Sequence, residues 1–254
     1  MRLRIPLLIA LGVVGLAIAA ILQHPQSVPA LKRLDNRPAD IGEIRRDVTP
    51  RLKHDLGAAG LTFGAPVFIR IFKESRELEL WVRDGAEFRL FRSYDICAYS
   101  GDLGPKLREG DRQSPEGFYR VSRSALNPNS SYHLSFNLGF PNRYDRSRGR
   151  TGSYLMVHGD CLSIGCYAMT DKGIEEIYLL VEGALNNGQD YIPVHSFPFR
   201  MTDQRMQQAT GHEWLPYWQN LKQGHDLFEQ SRIPPQVGVD AKRYVFDVAD
   251  APRP

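Results

Sequence analysis

The sequence predicts an α+β protein that is mainly β, with helices at its periphery and an apolar segment in front. Three observations carry this. Runs that alternate on a period of two recur between Val67 and His158, which is the strand period. Asp84-Gly85 separates two of these runs, a strong hairpin signal. After Thr170 the apolar spacing changes to a helical stripe. The 254 residues are enough for one sizeable domain or two small ones, and 42% hydrophobic with 24% charged residues is a globular composition. A net charge of +3 gives no sign of nucleic acid as a partner.

The chain starts with Arg2 and Arg4, then an uncharged apolar run from Ile5 to Leu22. As a helix that run would span about 27 Å, close to the hydrocarbon core of a bilayer. Residues 1–23 are therefore read as a membrane anchor or a signal peptide. Ala17-Ile18-Ala19 and Val28-Pro29-Ala30 are imperfect cleavage sites, and Pro29 speaks against the second. Both readings send the rest of the chain out of the cytoplasm, because the arginines stay inside. Residues 24–60 read as a proline-bearing linker and a short helix, with Thr49 as N-cap, Pro50 at the first helical position and Gly60 as the stop.

Residues 61–200 form the β-rich part. Strands are expected at 66–72, 78–82 and 88–92, with 94–100 continuing the sheet. "SPEGFYRV" (114–121) places a turn before another strand, and 132–138 and 153–158 add two more. Ile174, Ile177, Tyr178, Val181 and Leu185 then mark a helix from Asp171 to about Asn187, capped by Thr170 or Asp171 and ended by Gly188. Residues 191–199 read as a strand. In the extension 201–254, two short helices are expected over 212–230 and an irregular hairpin over 234–246.

The chemistry concentrates in "YLMVHGDCLSIGCYAMTD" (154–171). His158, Cys161 and Cys166 give H-x2-C-x4-C, three soft ligands without a fourth nearby. A Cys161–Cys166 or Cys97–Cys161 disulfide is a second reading, and Cys161–Cys166 could also form transiently as a redox switch. The favoured reading of Cys97 is a small buried hydrophobe in a strand. The third reading is a nucleophile beside its base. His158 at a strand end can take the Cys166 proton, Gly159 and Gly165 allow a close approach, and the N–H groups of Gly165 and Cys166 can hold an oxyanion.

His158-Gly159, then Ser163-Ile164-Gly165-Cys166, then Met169, resembles the signature of the L,D-transpeptidases with a YkuD-type catalytic domain. "REGDRQSPEGFY" (108–119) resembles that family's upstream turn, and "GCYAMTD" with "FNLGFPNRYDR" (136–146) is similar to its YafK-type branch. The resemblance covers roughly Pro66 to Phe199. It implies an acyl-enzyme on Cys166, formed at the meso-diaminopimelate carbonyl of a peptidoglycan stem peptide, with His158 as base. Ser163, or a backbone carbonyl near it, would orient the imidazole. Stem peptides would be the partner, along with peptidoglycan-linked lipoprotein in the branch, and the inner membrane would be reached through the N-terminal segment. No metal or organic cofactor is implied. Ala168 departs from the pattern, standing where many members have Arg. That departure is the one feature favouring an inactive envelope scaffold. A zinc-binding module is the third class.

"NRYDRSRGR" (142–150) has four arginines. A solvated loop is the plain reading. The functional one is a clamp for substrate carboxylates, with Arg143 and Arg146 as the forks, Tyr144 as a wall and Asn142 on peptide amides. Gly159 would lie against the substrate. His133 and His195 read as ordinary strand residues, and Trp214, Trp218 and Leu221 as core contacts.

Overall fold

The computed structural model describes residues 39–247. The expectations for residues 1–23 and most of the linker lie outside them. Among the described residues no helix is long and apolar enough to cross a membrane.

The first helix, α1 (Ile41–Ala58), begins earlier than Thr49-Pro50 suggested. Asp40 caps it, accepting from the N–H groups of Gly42 (2.9 Å) and Glu43 (3.1 Å). Pro50 sits inside the helix. An interior proline costs about 3 kcal/mol. Ile44, Val48, Leu52 and Leu56 form one buried stripe across it. Each contributes about 1.5–3 kcal/mol on burial, so the stripe outweighs the proline. Gly60 follows with a positive φ of 70°, as a C-terminal stop requires.

Among the described residues, eleven strands follow in chain order. β1 (Val67–Phe72), β2 (Glu77–Asp84), β3 (Glu87–Asp95), β4 (Gly117–Val121) and β9 (Ile192–Phe197) make a five-stranded sheet in the order β3-β2-β1-β9-β4. β2 and β3 are the hairpin read from Asp84-Gly85. β5 (Leu126–Ser130), β6 (His133–Asn137), β7 (Met156–His158) and β8 (Tyr167–Ala168) make a second sheet in that order. β10 (Gln236–Asp240) and β11 (Arg243–Asp247) pair only with each other. The helices are α2 (Arg143–Ser147), α3 (Asp171–Asn186), α4 (Asp203–Gln208) and α5 (Leu215–Ser231). The fold is thus mixed α and β, with several sheets and few helices.

Both faces of the five-stranded sheet are covered. Val67, Ile69 and Ile71 face a large core shared with α1, α3 and the second sheet. Phe72, Phe118 and Phe197 face an aromatic cluster with Tyr217 and Trp218 of α5. That is why all six residues of β1 are buried. α3 begins at Thr170, whose hydroxyl accepts from the Gly173 N–H (3.1 Å). α5 is one helix rather than the two short ones expected, because Pro216 falls in its first turn, where its missing N–H costs nothing. Gly224 lets that helix approach the sheet: a Cβ there would lie 2.4 Å from Phe246 and 2.8 Å from Phe118.

Candidate active site

His158 ends β7 and Cys166 immediately precedes β8. The two strands run parallel, with His158 opposite Ala168 and Val157 opposite Tyr167. Alternation therefore puts His158 and Cys166 on one face, as diagonal neighbours. Cys166 is the free thiol among the described cysteines and is half-buried. Its Sγ accepts from the Met156 N–H (3.4 Å) and lies 3.6 Å from the Tyr154 carbonyl, to which the thiol donates.

The His158 ring is held from behind. Its Nδ1 lies 2.6 Å from the Gly159 carbonyl. A carbonyl only accepts, so Nδ1 carries the proton and Nε2 is left as the basic nitrogen. The orienting group is thus the Gly159 backbone. Ser163 does not touch the ring. Gly159 itself is packed in: a Cβ there would meet the Asp171 carboxylate at 2.8 Å and His133 at 2.9 Å. The Tyr132 ring lies 4.8 Å from the imidazole, centroid to centroid.

Two hydroxyls converge on the Cys166 carbonyl, donated by Ser163 (2.8 Å) and Ser114 (2.9 Å). They fix the peptide plane that follows the Cys166 thiol. Ser163 Oγ also accepts from the Gly165 N–H (3.3 Å). Gly165 has a φ of 124°, a region that favours glycine. Of the two N–H groups expected to face an oxyanion, Gly165's is thus engaged. Among the described residues, Cys166's own has no acceptor.

Ser114 in turn rests on a buried pair. Lys73 Nζ donates to the carbonyls of Asp102, Gly104 and Ser114 and to the Glu116 carboxylate (3.1 Å). Glu116 accepts from the Trp218 indole with its other oxygen (2.9 Å). Burial pushes the Lys73 pKa down, and the Glu116 charge opposes that. Sequence reasoning missed Ser114 and Lys73. The signal for Ser114 was the turn at 114–117, read there only as chain reversal.

Burial acts on both reacting groups in the direction of neutrality. It lowers the His158 pKa, against the Gly159 hydrogen bond and the Asp160 charge. It raises the Cys166 thiol, against the Met156 N–H and the Lys106 charge. The resting pair is therefore thiol and neutral imidazole.

Cys97 is not the lone buried hydrophobe the sequence favoured. It is bonded to Cys161, with Cα atoms 5.1 Å apart. The chain after β3 reaches β8 through a bridge between Ala98 and Ala168, and this sets the two cysteines face to face. The same bridge buries Ala168 completely. Cys161 is thereby removed from any zinc set and from a bridge with Cys166. Among the described residues no group of three or more His, Cys, Asp or Glu is placed to hold a metal ion.

The expected carboxylate clamp lies elsewhere. Asn142 caps α2 in a capping box with Asp145. Tyr144 is buried, stacked on Tyr244 (4.3 Å) and Tyr217 (5.5 Å). Arg143 and Arg146 border a cavity with neither His158 nor Cys166 in its lining. The cause is local: the cap turns the chain into a helix, and its tyrosine anchors that helix in the aromatic cluster.

A free cysteine and an oriented histidine thus share one face, with an unengaged backbone N–H beside the sulfur. Residues 66–219 match the model of the YkuD family, described as the L,D-transpeptidase catalytic domain, and the chain belongs to that family. It is 54% identical over 182 residues to a protein of Escherichia coli K12 named "Putative L,D-transpeptidase YafK", covering 72% of this chain and 74% of that one. The same figures hold for the protein of that name in Escherichia coli O157:H7. Among solved structures, the helical cell shape determining protein Pgp2 of Campylobacter jejuni aligns at 21% identity and a TM-score of 0.41, over 57% of this chain and 54% of that one. Bd1075 of Bdellovibrio bacteriovorus aligns at 18% identity and a TM-score of 0.38, over 69% and 77%.

Proposed function

We propose that this protein is an extracytoplasmic cysteine enzyme that opens an amide of peptidoglycan stem peptides at the meso-diaminopimelate carbonyl. The observation that carries the reading is the pairing on one strand face of the free Cys166 thiol with a His158 ring whose Nδ1 is fixed on the Gly159 carbonyl. Membership of the YkuD family and the relatedness to YafK support the substrate class.

In the first step His158 Nε2 takes the Cys166 proton as the sulfur attacks the carbonyl carbon. The negative charge develops on the carbonyl oxygen, where the Cys166 N–H can meet it. The intermediate collapses, the amine leaves with the proton from His158, and a thioester remains on Cys166. A second amine or a water then attacks the thioester with His158 again as base. An amine gives a new amide. Water gives a free carboxylate, which would detach a lipoprotein if one was linked there. The apolar run behind Arg2 and Arg4 and the Cys97–Cys161 bridge support an extracytoplasmic site, since disulfides persist in oxidising compartments.

The test uses sacculi that still carry covalently bound lipoprotein, with residues 25–254 and a Cys166→Ala control, and reads the products by mass spectrometry. Lipoprotein released only by the active protein identifies a hydrolase. New diaminopimelate–diaminopimelate dimers identify a transpeptidase. No product of either kind would overturn the reading in favour of an inactive scaffold.

A further inference from the structure

Away from Cys166, β4, α2 and the β10–β11 hairpin enclose a cavity of about 410 Å³. It lies on the face of the five-stranded sheet that carries Phe118 and His195, opposite the face that carries Tyr119 and Val194 into the main core. No Asp or Glu lines it. Three exposed arginines do: Arg120, Arg143 and Arg146. Among the described residues none of the three has an ion-pair partner. Arg120 lies over the Tyr191 ring at 4.4 Å and reaches the Val237 carbonyl at 3.4 Å. Arg146 holds the Pro141 carbonyl. Arg143 donates no hydrogen bond to any described residue.

Two further observations point to a ligand. His195 is 2% exposed, lines this cavity, and its Nδ1 has no hydrogen-bond partner. Buried polar groups are normally paired. The cavity is also bordered by consecutive residues, Phe118 to Arg120 on β4 and Pro234 to Val239 at β10. Side chains of consecutive strand residues point to opposite faces, so the wall they share is the backbone edge. Among the described residues β4 pairs only with β9, and β10 only with β11. On those outer edges the Phe118 N–H and carbonyl are taken by the Tyr244 hydroxyl and the Asn142 amide, and the Val237 carbonyl by Arg120. By the two-residue alternation, the backbone groups of Arg120 and Val239 face the same way.

We propose that this cavity is a second binding site, separate from Cys166, for an extended peptide bearing a free carboxylate. Guanidinium forks match a planar carboxylate. The outward backbone groups of Arg120 and Val239 match the amides of an extended backbone. Tyr191 and Pro193 supply an apolar wall for its side chains. A bare phosphate would use the arginines and leave the edges and the wall idle. The assignment does not rest on the chemistry at Cys166, so either can fail alone.

The test uses full-length Cys166→Ala protein, in which turnover is blocked, and the soluble stem tripeptide L-Ala–γ-D-Glu–meso-diaminopimelate. Hydrogen exchange should slow in residues 117–121 and 236–240. Arg143→Ala and Arg120→Ala should each weaken that protection about tenfold in peptide concentration, as loss of one charge-assisted pair does. Adding His158→Ala should leave it unchanged. Protection confined to 154–168, equal affinity in the arginine variants, or equal protection by inorganic phosphate would each overturn the proposal.

Discussion

The Cys166 loop and the aromatic face beneath α5 are built on opposite principles. The loop is thinly packed and sharply tethered. Tyr154, Leu162 and Ile164 stand exposed around it, while its backbone hangs on two serine hydroxyls, one carbonyl and one disulfide. The aromatic face is held by area: Phe72, Phe197, Phe199 and Trp218 are fully buried and lie edge-on or stacked. Damage to the loop should therefore appear in rate, and damage to the aromatic face in melting temperature.

The sharpest separation comes from the reacting pair. Cys166→Ala should abolish turnover, and His158→Ala should lower kcat by about 10²–10⁴, the usual worth of a general base. Cys166→Ala should change Tm far less than it changes turnover in a calorimetric scan. Next, Trp218→Ala should cost about 3–5 kcal/mol of stability in a denaturant titration. If its kcat also falls at a temperature where the protein stays folded, the two regions are coupled. The route would run from the Trp218 indole through Glu116 and Lys73 to the Ser114 hydroxyl on Cys166.

The disulfide tests the tether itself. Cys97→Ser with Cys161→Ser should lose about 2–4 kcal/mol of stability. It should also lower kcat, since the bridge anchors Cys161, whose backbone N–H donates to the Met169 carbonyl (3.4 Å) just beyond β8. An unchanged kcat would mean the serines alone place the loop. The smallest expected effect is on the pH profile of kcat/KM. His158 must be neutral to act, and burial lowers its pKa, so the acid limb should fall below the ordinary imidazole range. Burial raises the Cys166 thiol, so the alkaline limb should fall above the ordinary thiol range. A narrow bell with both limbs between those ranges would contradict a neutral resting pair.

What was legible in the sequence follows the same division. Regular alternation named the strands of the five-stranded sheet, and Asp84-Gly85 named its hairpin, because local pattern and tertiary burial agree there. Thr170 and the stripe from Ile174 to Leu185 located α3 for the same reason. His158 and Cys166 stood out because few residue types can serve as base and nucleophile, the roles proposed for them here. The Cys97–Cys161 bridge was one of several pairings the sequence left open, because choosing it depends on a contact between segments 64 residues apart. Local proline logic misplaced the start of α1, where a buried stripe overrides one unfavourable residue. At Asn142–Arg146 the residue types suggested an anion clamp, but its distance from Cys166 could not be read, because that follows from the capped helix α2 and the cavity Arg143 and Arg146 border.

The single bridge also bears on how the protein matures. Three cysteines allow three different first pairings. Two of them consume Cys166, and the one with Cys161 joins thiols only five positions apart, which a nascent chain reaches sooner than a partner 64 residues away. The native pairing waits until Ala98 has docked on Ala168. Oxidation before that docking would hide the nucleophile. A chain oxidised that early would need thiol–disulfide exchange to recover, and the active fraction of a preparation would report on that exchange as well as on the amount of protein made.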